Sequence, residues 1–238
     1  MKMNSKNFFG DGDRESIRKA VEKAEQSTSG EIAVMVVGQS DSYREAATLG
    51  AVICAGLLGL AIEIFATALP GSVEVWTHSS APGTLHLIAE YSRYVSLWTF
   101  IPVVFLLYFP MMFLMNRLPG LKLLFVRHGR INEAVRERAL RAFYERGLYR
   151  TRDETGVLVF ITILERHVWI IGDRGINAKI APDYWKNLAA ELASGIKAGK
   201  QAQATCSVVL RCGEELARHF PIKADDTNEL PNDVITGE

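Results

Sequence analysis

Between Ala46 and Met115 the chain carries a single basic side chain, Arg93, although it has 27 Lys and Arg against 27 Asp and Glu overall. Formal net charge is zero. Nothing in that balance supplies the basic excess a general nucleic-acid binder needs, so no nucleic-acid partner is expected. Cysteine is scarce: Cys54, Cys206 and Cys212, with no CxxC pair. Cys206 and Cys212 stand six positions apart, on opposite faces of a helix, which excludes a thiolate zinc site built on them. The five histidines (His78, His86, His128, His167, His219) show no ligand spacing, and no motif for an organic cofactor is present. Residues 1–45 are polar and mixed in charge, so no cleaved leader is expected.

What replaces charge in the middle is apolar length. Residues 46–69, "AATLGAVICAGLLGLAIEIFATAL", are apolar apart from Glu63 and two threonines, and residues 95–115, "VSLWTFIPVVFLLYFPMMFLM", hold no charge. Each run reaches the roughly 20 residues a helix needs to cross a bilayer core of about 30 Å. A buried helix pair in a soluble core is the alternative, but two such runs would overfill the core of so small a domain. The spacing therefore predicts a two-pass transmembrane hairpin over 46–118. Its connecting loop, 70–94, holds only Arg93, whereas Arg44, Arg117, Lys122, Arg127 and Arg130 crowd the other side. An excess of Lys and Arg marks the cytoplasmic side. The expectation is an inner (cytoplasmic) membrane protein with the loop outward and both termini and the soluble domain inside. Ala47, Ala51, Ala55 and Gly59 form a small-residue stripe that lets the second span approach closely. Glu63, within the first span, is read two ways: as a functional intramembrane carboxylate, or as one that snorkels or bonds the facing helix through Thr99.

Both flanks read as α/β. "DRESIRKAVEKAEQ", 13–26, has Asp13 in N-cap position and Ile17, Val21 and Ala24 at helical spacing. "EIAVMVV", 31–37, is a buried strand. A helix is expected over 131–146, then "GVLVFITI" (156–163) and "VWII" (168–171) as a β-hairpin. A helix starting at Pro182 and a last one over 201–219 follow. Residues 222–238 are acidic and poor in large apolar side chains, so they are expected to be disordered. The domain is thus split into 1–45 and 119–221 by the hairpin. Strands 31–37 and 156–163, joined through helix 131–146, should run parallel with a right-handed crossover. The third strand should pair antiparallel with the second.

That order brings three loops to one rim: Thr28 to Glu31, Thr151 to Gly156, and Gly172 to Gly175. Glu31, Asp153, Glu154 and Asp173 would meet there, hard oxygen ligands of the type that hold Ca²⁺ or Mg²⁺. The competing reading makes them solvated turn residues with Arg152 or Arg174 as ion-pair partners.

The same segments carry a resemblance. "STSGEIAVMVV", "GVLVFITILERHVWIIGDRGINAKI" and the closing helix pair ending in "HFP" resemble the TPM domain family over roughly 10–45 and 129–221. The resemblance implies a three-layer α/β/α sandwich around a short mixed sheet, here interrupted by the transmembrane hairpin. It also implies acid phosphatase activity, as in plant members, or assembly and modulation of membrane complexes, with bound divalent ions. The threonine–glycine entry to the first strand corresponds to Thr28-Ser29-Gly30, and the glycine turn to Gly172-Asp173-Arg174-Gly175. The family's tryptophan–glycine loop is replaced by Arg146-Gly147-Leu148, and the acidic residue after the glycine turn by Asn177.

Arg127-His128-Gly129 matches the triplet that carries the nucleophile of histidine phosphatases. Here it falls at the join between hairpin and helix rather than at a strand end; such enzymes also need a second catalytic histidine and further arginines, and His167 falls in the β-hairpin turn, at the opposite end of the sheet from the carboxylate rim. The match is read as coincidence. Arg127, Arg130, Arg138 and Arg141 share a helical face suited to anionic lipid headgroups. The leading expectation is an accessory, binding or assembly module for a membrane protein partner. The rival is a metal-dependent phosphatase in which Asp173 and Asp153 hold the ion. No Ser, Cys or His is placed as an activated nucleophile.

Overall fold

β1 (Glu31–Val37) and β2 (Gly156–Thr162) are buried at every position, which is why both read as unbroken apolar runs. In the computed structural model the described residues are 5–68, 84–223 and 228–237, the side chains of 66–68 and 84–99 excepted. Most of the connecting loop, together with the side chains of Arg93 and Thr99, therefore lies outside the described residues. The chain forms two units, Tyr43–Val126 and, split around it, Lys2–Ser42 with Arg127–Glu238.

In the split unit the sheet order is β3-β2-β1-β4. β1 and β2 are parallel, Glu31 opposite Gly156 and Val37 opposite Thr162. β3 (His167–Gly172) runs antiparallel to β2, Thr162 facing His167 and Val157 facing Gly172. Successive side chains point to opposite faces, so the two cores sort by parity. Ile32, Val34, Val36, Val157 and Val159 pack with α1 (Asp11–Glu25), α7 (Pro182–Lys197) and α8 (Gln201–His219). Ala33, Met35, Val37, Leu158 and Phe160 pack with Val135, Ala139 and Phe143 of α5 (His128–Glu145). The result is a mixed α/β fold with helices on both faces, the α/β/α sandwich expected from the element order.

Two local expectations are corrected. Asp13 is inside α1, where its carboxylate accepts the Gly10 N–H at 3.1 Å, while Gly10 holds the cap position. The acidic terminal stretch contributes a strand, β4 (Ile235–Gly237), parallel to Met35–Val37 of β1. Composition misleads here because strand addition satisfies backbone groups irrespective of side chain. Three apolar residues are enough to seat it: Val234 is buried with one core, and Leu230 and Ile235 pack on the other. Ser5 Oγ donates to the Gly237 carbonyl at 2.8 Å.

The inserted unit contains α2 (Arg44–Ala68), α3 (Thr84–Arg117, running through Pro102 and Pro110) and the short α4 (Pro119–Leu123). Two stretches, Arg44–Phe65 and Phe100–Arg117, are long and apolar enough to cross a membrane. Ala47, Ala51 and Ala55 are fully buried, and a side chain at Gly59 would meet Val104 at 2.8 Å. The small-residue stripe is where α3 seats. Its opposite side is turned out: Leu57, Phe65, Phe105, Leu106 and Phe113 are all exposed. Glu63 is half-buried.

Candidate functional site

The loops at the N-terminal ends of β1 and β2 and the C-terminal end of β3 do meet. Glu31 donates its N–H to the Thr155 carbonyl at 3.2 Å, and Thr155 Oγ1 donates to the Ser29 carbonyl at 3.0 Å. Asp173 donates its N–H to the Gly156 carbonyl at 2.9 Å. The close passage of backbones explains two glycines. A Cβ on Gly175 would stand 2.6 Å from the Asp153 carbonyl oxygen and 2.7 Å from that of Glu154, and one on Gly156 would strike the Leu148 carbonyl oxygen.

The four carboxylates all lie at this rim, each with its own surroundings. Glu31 is 6% exposed, and its Oε1 accepts the Glu229 N–H at 3.1 Å. Asp153 is paired with Lys223 at 2.5 Å. Asp173 caps the short α6 (Arg174–Asn177), its Oδ1 accepting the Arg174 N–H at 2.7 Å, and its Oδ2 is buried with no hydrogen-bond partner among the described residues. Glu154 is exposed, on a backbone at φ 55°. Among the described residues no three His, Cys, Asp or Glu side chains are grouped to hold a metal ion. An ion held by several of these oxygens would have to displace the Lys223 cation from Asp153 and share Glu31 with a backbone N–H.

What covers the rim is the terminal stretch. Besides Lys223 on Asp153 and the Glu229 N–H on Glu31, the Glu229 carboxylate accepts the Arg152 N–H at 3.2 Å. Asn232 Nδ2 donates to Glu25 Oε2 at 2.8 Å, and Glu25 Oε1 accepts the Ile32 N–H at 2.9 Å. Glu25, Lys223, Glu229 and Asn232 were missed from the sequence. Glu25 carries no motif that marks it in the sequence, and the other three fall in or at the start of the stretch expected to be disordered. Burial pushes the Glu25 acid up to about 8, and the neighbouring Glu31 charge pushes the same way, against the Ile32 and Asn232 hydrogen bonds.

Between the unfolded value of 4.5 and about 8, the folded chain holds a proton on Glu25 that the unfolded chain has released. Stability therefore falls as pH rises through that window. Glu25→Gln, which keeps the Ile32 bond and removes the charge, should flatten the fall and raise the melting temperature most at the alkaline end. Thermal unfolding of wild type and variant across the window checks this, and parallel slopes would refute it.

His128 and His167 sit away from the rim. His128 is the exposed first residue of α5, and His167 opens β3 opposite Thr162, at the far end of the sheet. Of the arginine face, Arg127 and Arg141 are exposed. Arg130 pairs with Asp41 at 2.7 Å, and Arg138, only 19% exposed at its side chain, reaches Glu145 at 3.3 Å. Carboxylates thus meet two of the four, Asp41 from before the inserted unit and Glu145 from α5 itself.

An α/β/α sandwich with a rim of this kind is the class the geometry defines. Residues 121–215 match the family model described as the TPM domain. The fold is similar to that in the NMR structure of the BA42 protein from the psychrophilic bacterium Bizionia argentinensis, with a TM-score of 0.55 and 19% identity, covering 97% of each chain. No curated protein matches the chain.

Proposed function

We propose that this chain is a membrane-anchored TPM-type protein that serves as an accessory, binding or assembly module of a membrane complex. The observation that carries the reading is the outward apolar surface of α2 and α3, with Leu106 72% and Phe65 67% exposed. Side chains of this kind in contiguous array are costly in water and favourable in hydrocarbon. In the inner membrane the loop over 70–94 would face outward and both termini the cytoplasm, following the basic residues. Arg127 and Arg141 would meet anionic headgroups, worth about 1 kcal/mol each near the surface. Protease added to right-side-out vesicles tests the orientation: cleavage within 120–238 in intact vesicles overturns it. A crosslinking pulldown from native membranes identifies the partner.

The alternative, metal-dependent phosphatase activity, would require Asp153 to exchange Lys223 for an ion beside Asp173. The engaged carboxylates favour the non-catalytic reading. Millimolar Ca²⁺ or Mg²⁺ should then leave the melting curve of the purified protein unchanged, because only preferential binding to the folded state raises it. A metal-dependent rise together with phosphate release, both lost on Asp173→Ala, would reverse the choice. Release lost on His128→Ala instead would restore the phosphohistidine mechanism.

A further inference from the structure

β3 is the outer strand on its side of the sheet, pairing with β2 alone among the described residues. Register sorts its backbone. The Asp173 N–H bonds the Gly156 carbonyl, and Ile171 and Trp169 stand opposite Leu158 and Phe160, two and four residues further along. In an antiparallel ladder these alternate residues exchange hydrogen bonds with the neighbour, so Val168, Ile170 and Gly172 turn their N–H and C=O outward. Asn177 Nδ2 takes the Gly172 carbonyl at 2.6 Å and ends the ladder. Val168 and Ile170 are left with an open edge, and β3 contains no proline or lysine to blunt it.

A groove of about 730 Å³ runs along this edge, with α5 on one side and α7 on the other. Leu140, Trp185 and Ala189 give its walls apolar surface. Its charged lining residues are Arg136, Arg166 and Lys186, with no Asp or Glu among them. Lys186 is met by Asp183 at 2.9 Å, while Arg136 and Arg166 are exposed.

We propose that the β3 edge is a docking site for an acidic, extended segment of a partner protein, which joins the four-stranded sheet as a fifth strand between α5 and α7. Main-chain bonds to Val168 and Ile170 supply affinity, and the walls and cations select side chains. One face of the added strand meets α7 and the other α5, so apolar residues alternating with carboxylates fit. A second copy of this chain fits less well, because antiparallel pairing of two β3 edges would bring Arg136 and Arg166 against their own counterparts. The proposal deepens the assembly reading and rests on it for the partner being a protein of the same complex.

The test uses the full chain in lipid nanodiscs and a synthetic peptide alternating Val and Glu, with a peptide alternating Val and Lys as control. The acidic peptide should slow hydrogen exchange at the Val168 and Ile170 amides, and the basic one should bind about tenfold more weakly. Arg136→Glu with Arg166→Glu, both at exposed positions, should invert that preference. Val168→Pro should abolish protection by removing an outward donor that the existing ladder does not use. Equal binding of the two peptides, no change on charge reversal, or no protection at either amide overturns the proposal. So does edge protection that grows with protein concentration without peptide, which would assign the edge to a second copy. Alkaline extraction of membranes reads the anchoring separately: a chain that washes off yet docks the peptide refutes the membrane reading and leaves this one standing.

Discussion

Arginine in place of Leu57 or Leu106 is expected to drive the chain out of the membrane fraction. Both leucines lie well inside the apolar stretches, 63% and 72% exposed, on the side turned away from the helix pair. If that side contacts hydrocarbon, a guanidinium near mid-span costs about 2.5–3.5 kcal/mol for insertion. Two such changes together exceed what a hairpin with only two spans should tolerate. Leu57→Ile and Leu106→Ile should be silent, since they alter shape but not polarity. Retention after alkaline extraction is the measurement. Unchanged retention of the double arginine variant would mean that these helices meet protein or water instead.

The second large effect is expected at the rim, where backbone meets backbone. Gly175→Ala places a methyl 2.6 Å and 2.7 Å from two carbonyl oxygens, and Gly156→Ala drives one into the Leu148 carbonyl. No flexible side chain can yield at either position, so the loops must separate. Overpacking of this kind costs about 1–3 kcal/mol, or about 2–4 °C of melting temperature per kcal/mol in a domain of this size. Gly12→Ala is the control, because a Cβ there meets nothing within 4 Å and helix propensity favours alanine. Melting curves should move down for the first two and slightly up for the third. A shift of the same sign in all three would show that general glycine replacement, rather than loop approach, sets the effect.

The arginine face shows where reading residues in isolation stops. Arg130, Arg138 and Arg141 share a side of α5 by spacing alone, with Arg127 at its N-cap. Their availability depends on Asp41, which precedes the inserted unit by a few residues, and on Glu145 two turns along the helix. Nothing in the spacing of arginines reports a carboxylate 89 positions away.

Local pattern by itself determined most of the architecture. β1 and β2 were legible because every position is buried and apolar, and α8 because its apolar positions recur at helical period. The apolar stretches of α2 and α3 were legible from length and lack of charge. Convergence of the three loops followed from strand order, since parallel and antiparallel pairing leave one choice of which ends meet. Tertiary structure alone decided what the rim carboxylates do. Asp153 finds its cation 70 positions away at Lys223, Glu31 its donor 198 positions away at Glu229, and Glu25 its amide 207 positions away at Asn232. Those partners come from a terminal stretch whose order depends on an open edge of β1 and a few apolar anchors. Periodicity reports how a segment divides its own faces between core and solvent. Which distant group neutralises a buried charge is set only when the chain has closed around it.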